Sequence, residues 1–175
     1  KPYYRYESGT SMAAPAVSGF LALIQEYLGT NFNIRPSPAL LKALVINGAR
    51  SLSPNYNLQI NAPINHQGWG LVNMSNSVPF GLTSGGTNGP LRFYDQTLTN
   101  SLATGGTETY EITVPNEAKS FPLRLALVWT DPPGNPVTGV KLVNDMDLLA
   151  LASVTNTAAG STNLGTNEVI WLGNN

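Results

Sequence analysis

Tyr6 to Pro15 reads YESGTSMAAP, and an apolar run, MAAPAVSGFLALIQEYL, starts inside it at Met12 and continues to Leu28. The run carries apolar side chains almost all round, with small residues at Ala13, Ala14, Ser18 and Gly19, a pattern that predicts a buried helix over 12–28. Ser11 then stands at the mouth of that helix, where backbone N–H groups have no intrahelical acceptor and favour negative charge. A serine hydroxyl becomes a nucleophile only when a base takes its proton and a carbonyl can reach it. Gly9 permits close approach of backbone or substrate, and Ala13 and Ala14 keep the first turn slim. Pro15 is expected within the first turn or so, where its missing N–H costs little. The alternative for an isolated hydroxyl at this position is a plain N-cap by Thr10 or Ser11.

Moving outward, IRPSPALLKALVINGAR predicts a second helix: Ser37 as N-cap, Pro38 first, Leu40, Leu41, Leu44 and Val45 on the apolar face, Gly48 near the end. Gly68-Trp69-Gly70 leads into a short segment reaching Val78. The composition then changes at FGLTSGGTNGP, which is polar, glycine-rich and closed by proline. We place a linker over 81–90, between an N-terminal part (1–80) and a second domain (91–175). That second half reads as strands at LRFYDQTL, TETYEITV, LRLALVWT, DMDLLALASV and EVIWL, separated by Asn, Gly and Pro turns. The expected fold class is an α/β fragment of two to three helices followed by an all-β antiparallel sandwich or jelly roll. There is no internal repeat.

Composition removes several functions. Of the 175 residues, 42% are apolar, enough for a packed core. Charged residues make up 11%, the net charge is −1 and no basic run exists, so the electrostatic drive for nucleic-acid binding is missing. No apolar run approaches membrane-spanning length. Cysteine is absent, which excludes disulfides, cysteine nucleophiles and thiolate metal sites. A chain short of Lys and Glu and heavy in Asn, Thr, Ser and Gly suggests an extracellular setting. KPYYRYESG has neither the basic start nor the apolar core of a signal peptide, which suggests a mature form or an excised piece.

The seven residues GTSMAAP, Gly9 to Pro15, resemble the catalytic-serine segment of the subtilisin-like serine proteases. The likeness continues through LLKALVINGA and GWGLVNMSNSV. In LALVWTD and LVNDMDLL it turns to the β-domain that follows the catalytic domain in one branch of calcium-dependent alkaline subtilases. The resemblance implies that Ser11 is the nucleophile and that its N–H is half of the oxyanion hole. It implies that Thr10 buttresses the hole and that Glu7 and Ser8 lie beside leaving-group subsites. It further implies peptide-bond hydrolysis through an acyl-enzyme, a polypeptide substrate and no cofactor for the chemistry, with structural calcium a candidate. The family's Asp, His and oxyanion Asn precede its serine, so they are expected upstream of Lys1 in the remainder of the protease domain, and the β-domain is expected to run past Asn175. A reading from another class is a non-catalytic β-sandwich binding or adhesion module with a remnant helical element.

The single histidine, His66, would suit an α/β-hydrolase, where histidine follows serine, but that order needs an acid between them. Only Glu26 stands there, in mid-helix. His66 is therefore expected to be a surface or hinge residue. Asp145 and Asp147 alternate on an expected strand and Asp131 precedes Pro132-Pro133; such oxygen clusters suit calcium. The competing reading makes Asp131 and Asp145 turn-forming caps and leaves Asp147 in solvent. Trp69, Trp129 and Trp171 are flanked by apolar or glycine residues and are expected in the core rather than in a sugar-stacking platform.

Overall fold

The computed structural model describes residues 3–52, 67–78, 91–114, 116, 122–156 and 163–173, with only the backbone path over 152–156 and 163–173. The chain divides into two compact units, Lys1–Val128 and Trp129–Asn175. The expected 81–90 linker lies outside the described residues.

Helix α1 runs from Thr10 to Phe32, two residues earlier and four later than the pattern at 12–28. Gly9 is its N-cap, with φ +155°, a backbone that L side chains rarely adopt. Its carbonyl accepts the Met12 and Ala13 N–H groups at 3.1 and 3.2 Å. The early start puts Pro15 inside the helix rather than in its first turn. The missing Pro15 N–H therefore deprives the Ser11 carbonyl of its i+4 donor. At the far end Asn33 takes the left-handed conformation, φ 55°, which asparagine tolerates, and its N–H closes on the Gly29 carbonyl at 3.1 Å.

Helix α2, Pro38–Gly48, begins as its sequence predicts. Ser37 is the N-cap, its Oγ accepting the Leu40 N–H at 3.0 Å, and Pro38 is the first helical residue. A one-turn helix α3, Met74–Ser77, is capped by the Asn73 side chain, which accepts the Asn76 N–H at 3.1 Å. The core joins these elements: Ile24 and Leu28 of α1, Leu40 and Leu44 of α2, and Val78, with Phe20, Tyr27, Leu41, Val45, Met74, Leu91 and Phe93 packed around them. Burying such side chains stabilises by roughly 1.5–3 kcal/mol each. Only Ile24 and Leu28 of α1 are buried, both in its C-terminal half. Residues Thr10 to Ala16 are exposed throughout, because the described residues that pack on α1 all meet its later turns. The all-round burial expected from 12–28 is corrected to that extent.

Two close approaches fix α2 and its surroundings. A Cβ on Gly48 would stand 2.8 Å from the Ser77 backbone, so glycine allows α2 and α3 to touch. Arg50 and Leu71 exchange backbone N–H···O bonds of 2.9 and 2.8 Å, and Gly70, φ +103°, lies against the Arg50 carbonyl where no side chain fits.

In the second half the described residues hold one two-stranded antiparallel ladder, not the expected sandwich or jelly roll. DMDLLALASV and EVIWL fall largely in β1, Leu148–Asn156, and β2, Asn163–Gly173. These pair antiparallel with Leu148 opposite Gly173 and Ala150 opposite Trp171, and the register shifts between Ala150 and Leu151. LRFYDQTL, TETYEITV and LRLALVWT form no ladder there; the first ends in a 3₁₀ turn, Leu98–Asn100. A strand exists only if a neighbour accepts its hydrogen bonds. The alternating Tyr110, Ile112 and Val114 accordingly remain 43, 40 and 42% exposed. Leu91 and Phe93 behave differently: on an extended backbone, alternate side chains share one side, and these two reach the helical core.

Candidate functional site

Thr10 and Ser11 are the first two residues of α1 and both are exposed. Because the Gly9 carbonyl takes the Met12 and Ala13 N–H groups, the Thr10 and Ser11 N–H groups remain free among the described residues, as does the Ser11 hydroxyl. No acidic residue lies in the first turn to neutralise these donors. A helix of 23 residues thus presents an uncompensated positive end next to an accessible hydroxyl. When a hydroxyl adds to a carbonyl, the former carbonyl oxygen takes the negative charge, and a free N–H such as that of Ser11 is the kind of donor that would hold it.

The surroundings locate the other expected residues. Glu7 pairs with Arg5 at 2.8 Å, a surface ion pair of little energetic weight. Ser8 is exposed beside it. Glu26 lies fifteen residues further along α1, roughly 22 Å from Ser11 at 1.5 Å per residue, too far to orient any base for it. His66 falls outside the described residues.

In the second unit Asp131 is engaged by the backbone. Its carboxylate accepts the Val143 N–H at 2.7 Å, and the Asn144 N–H and Nδ2–H at 2.9 and 2.8 Å. The Val143 N–H above all holds its pKa below the usual 3.8. This is the turn-forming role of the two that the sequence allows. Asp145 and Asp147 are exposed, and among the described residues no three His, Cys, Asp or Glu side chains gather around a metal position. Trp69 is 56% exposed, correcting its expected place in the core, because it sits at the tip of the turn between the two positive-φ glycines Gly68 and Gly70. Trp129 is half-buried, its Nε1 enclosed without an acceptor, and the Trp171 side chain is not described.

Three connections were not read from the sequence. Asp95 binds Ser37, Arg124 binds the end of α2, and Lys141 binds three carbonyls. Only Asp95 left a signal, since it continues the alternation of Leu91 and Phe93. A polar cleft of ≈ 550 Å³, flanked by Tyr94 and Tyr110 with ring centroids 4.0 Å apart, includes neither Thr10 nor Ser11.

Residues 1–70, which contain this helix mouth, match the family model described as the Subtilase family. That segment, with its serine at the start of α1, is a subtilase-family segment. Among curated proteins, the chain is 31% identical over 191 residues to the serine protease/ABC transporter B family protein tagD of Dictyostelium discoideum, covering 86% of this chain and 10% of that protein. It is 29% identical to tagB of the same organism, over 83% of this chain and 10% of that protein. The corresponding protein tagA is 27% identical, over 83% of this chain and 8% of the relative. The chain thus spans about a tenth of the length of the curated relatives it matches. No solved structure matches it.

Proposed function

We propose that this chain is part of a subtilisin-like serine endopeptidase and that Ser11 is its nucleophile. The observation that carries this reading is the GTSMAAP motif, lying inside the subtilase-matched segment and seated with free N–H donors at the mouth of α1. The Ser11 oxygen attacks the carbonyl carbon of a polypeptide. Its proton passes to a base and then to the leaving amine, and water later hydrolyses the acyl-enzyme. The Ser11 N–H holds the developing oxyanion while Thr10 supports the turn that aims it. The only described carboxylate between Ser11 and His66 is remote, so the base and its orienting acid come from the remainder of the protease domain, outside this chain. No cofactor takes part in the bond cleavage. The β-rich second half is an accessory β-sandwich, and the setting is extracellular.

Ser11→Ala in the complete protease tests the reading by hydrolysis of an unstructured polypeptide. Loss of at least about 10³-fold in kcat supports it, since triad members act as a unit. Retained turnover contradicts it and favours a non-catalytic binding module.

A further inference from the structure

The segment between Asp131 and Asn144 folds back on itself around a single positive charge. Lys141 Nζ donates to the backbone carbonyls of Asn135 and Pro136, both at 2.9 Å, and to that of Thr138. Neighbouring groups reinforce the turn. The Val137 N–H bonds to Asn135 Oδ1 at 3.0 Å, the Thr138 N–H to the Asn135 carbonyl at 3.3 Å, and the Thr138 hydroxyl lies 2.7 Å from the Val140 carbonyl. Gly134 lets the backbones meet, since a Cβ there would collide with the Lys141 carbonyl oxygen. At the neck, Asp131 holds the N–H groups of Val143 and Asn144.

Carbonyl oxygens converging on one point are the donors that hard cations select. An ammonium has three N–H donors and no acceptor, so three carbonyls saturate it. No carboxylate shares the site: Lys141 forms no ion pair among the described residues. We propose that the carbonyls of Asn135, Pro136 and Thr138 form a cation site whose resident is the chain's own Lys141 ammonium. The loop is organised by an internal primary ammonium, and neutralising that nitrogen, as acylation does, releases the turn. When the side chain is cut back, the vacated carbonyls accept a free primary alkylammonium ion.

Two measurements on the whole chain test this. In Lys141→Ala, amide hydrogen exchange at Val137 and Thr138 is expected to quicken roughly tenfold, the scale of losing charge-assisted hydrogen bonds. n-Propylammonium chloride restores protection, and tetramethylammonium chloride at equal ionic strength does not. Unchanged exchange in the variant, or restoration by calcium chloride alone, overturns the proposal. The second measurement needs no variant: limited acetylation followed by peptide mass spectrometry compares Lys141 with exposed Lys42. Slower modification of Lys141, by roughly tenfold, is expected because the nitrogen must leave its carbonyls to react. Equal rates overturn the proposal.

Discussion

The Asp95 carboxylate holds both polar groups of Ser37, Oδ2 accepting the backbone N–H at 2.8 Å and Oδ1 the hydroxyl at 2.6 Å. Ser37 Oγ in turn accepts the Leu40 N–H, so one carboxylate, 58 residues away in sequence, orients the cap of α2. Its charge also lies at the helix end that favours an anion.

Asp95→Ala is expected to destabilise the chain by about 1–3 kcal/mol, and Ser37→Ala by about 1 kcal/mol. The double variant should lose less than the sum, because either change already breaks the shared bonds. Urea unfolding of the four proteins reads the coupling. Strict additivity would mean that the contact does not act as a unit.

At the other end of α2, the Arg124 guanidinium donates to the Ala49 carbonyl at 2.7 Å and to that of Ile46 at 3.4 Å. Partial burial lowers its pKa, yet an arginine stays charged at any ordinary pH. Arg124→Met keeps the apolar stem but leaves the Ala49 carbonyl without its donor, while the Ile46 carbonyl keeps the Ala49 N–H at 3.3 Å; the expected cost is about 1–3 kcal/mol by thermal or urea unfolding. An unchanged midpoint would assign the Ala49 carbonyl to solvent instead.

Gly48→Ala places a methyl group against the Ser77 backbone, which cannot swing aside as a long side chain could. Overpacking at such a contact costs about 1–3 kcal/mol. Gly19→Ala, on the same scaffold but with open space at its Cβ position, is the control and should be neutral or slightly stabilising. Equal effects from the two changes would deny the α2–α3 contact.

Asp131 makes a pH prediction with a definite sign. Its pKa lies below 3.8 in the folded chain, chiefly through the Val143 N–H, so its contribution is fully present above the unfolded value. It is lost as pH falls through the lower folded value. Carboxyl ¹³C titration should place the Asp131 midpoint below 3.8, and Asp131→Asn should remove that transition. A midpoint at or above the ordinary value would contradict the three N–H···O bonds.

The helical half was legible because its determinants are local. Ser37 and Pro38 announce α2, and Gly9 to Met12 announce α1 within two residues. Burial was less legible, since whether Met12 and Leu23 are covered depends on residues distant in the chain. Alternation marked 107–114 and 123–130 as strands, but period two records only that a chain could line a sheet; the hydrogen-bonding neighbour is a tertiary fact. The serine was readable as a motif. The Lys141 site was not, because backbone carbonyls leave no trace in residue identity.

The most direct test of the central claim is fluorophosphonate labelling of the complete protease, with the modified peptide mapped by mass spectrometry. An activated serine attacks the phosphorus and keeps the phosphonyl group, whereas an unassisted hydroxyl does not react at neutral pH. The account predicts stoichiometric labelling at Ser11, abolished in Ser11→Ala, and no labelling of the 175-residue chain alone, because among its described residues the Ser11 hydroxyl has no hydrogen-bonded base. Labelling of the complete protease at a different serine, or of the isolated chain at Ser11, would contradict it.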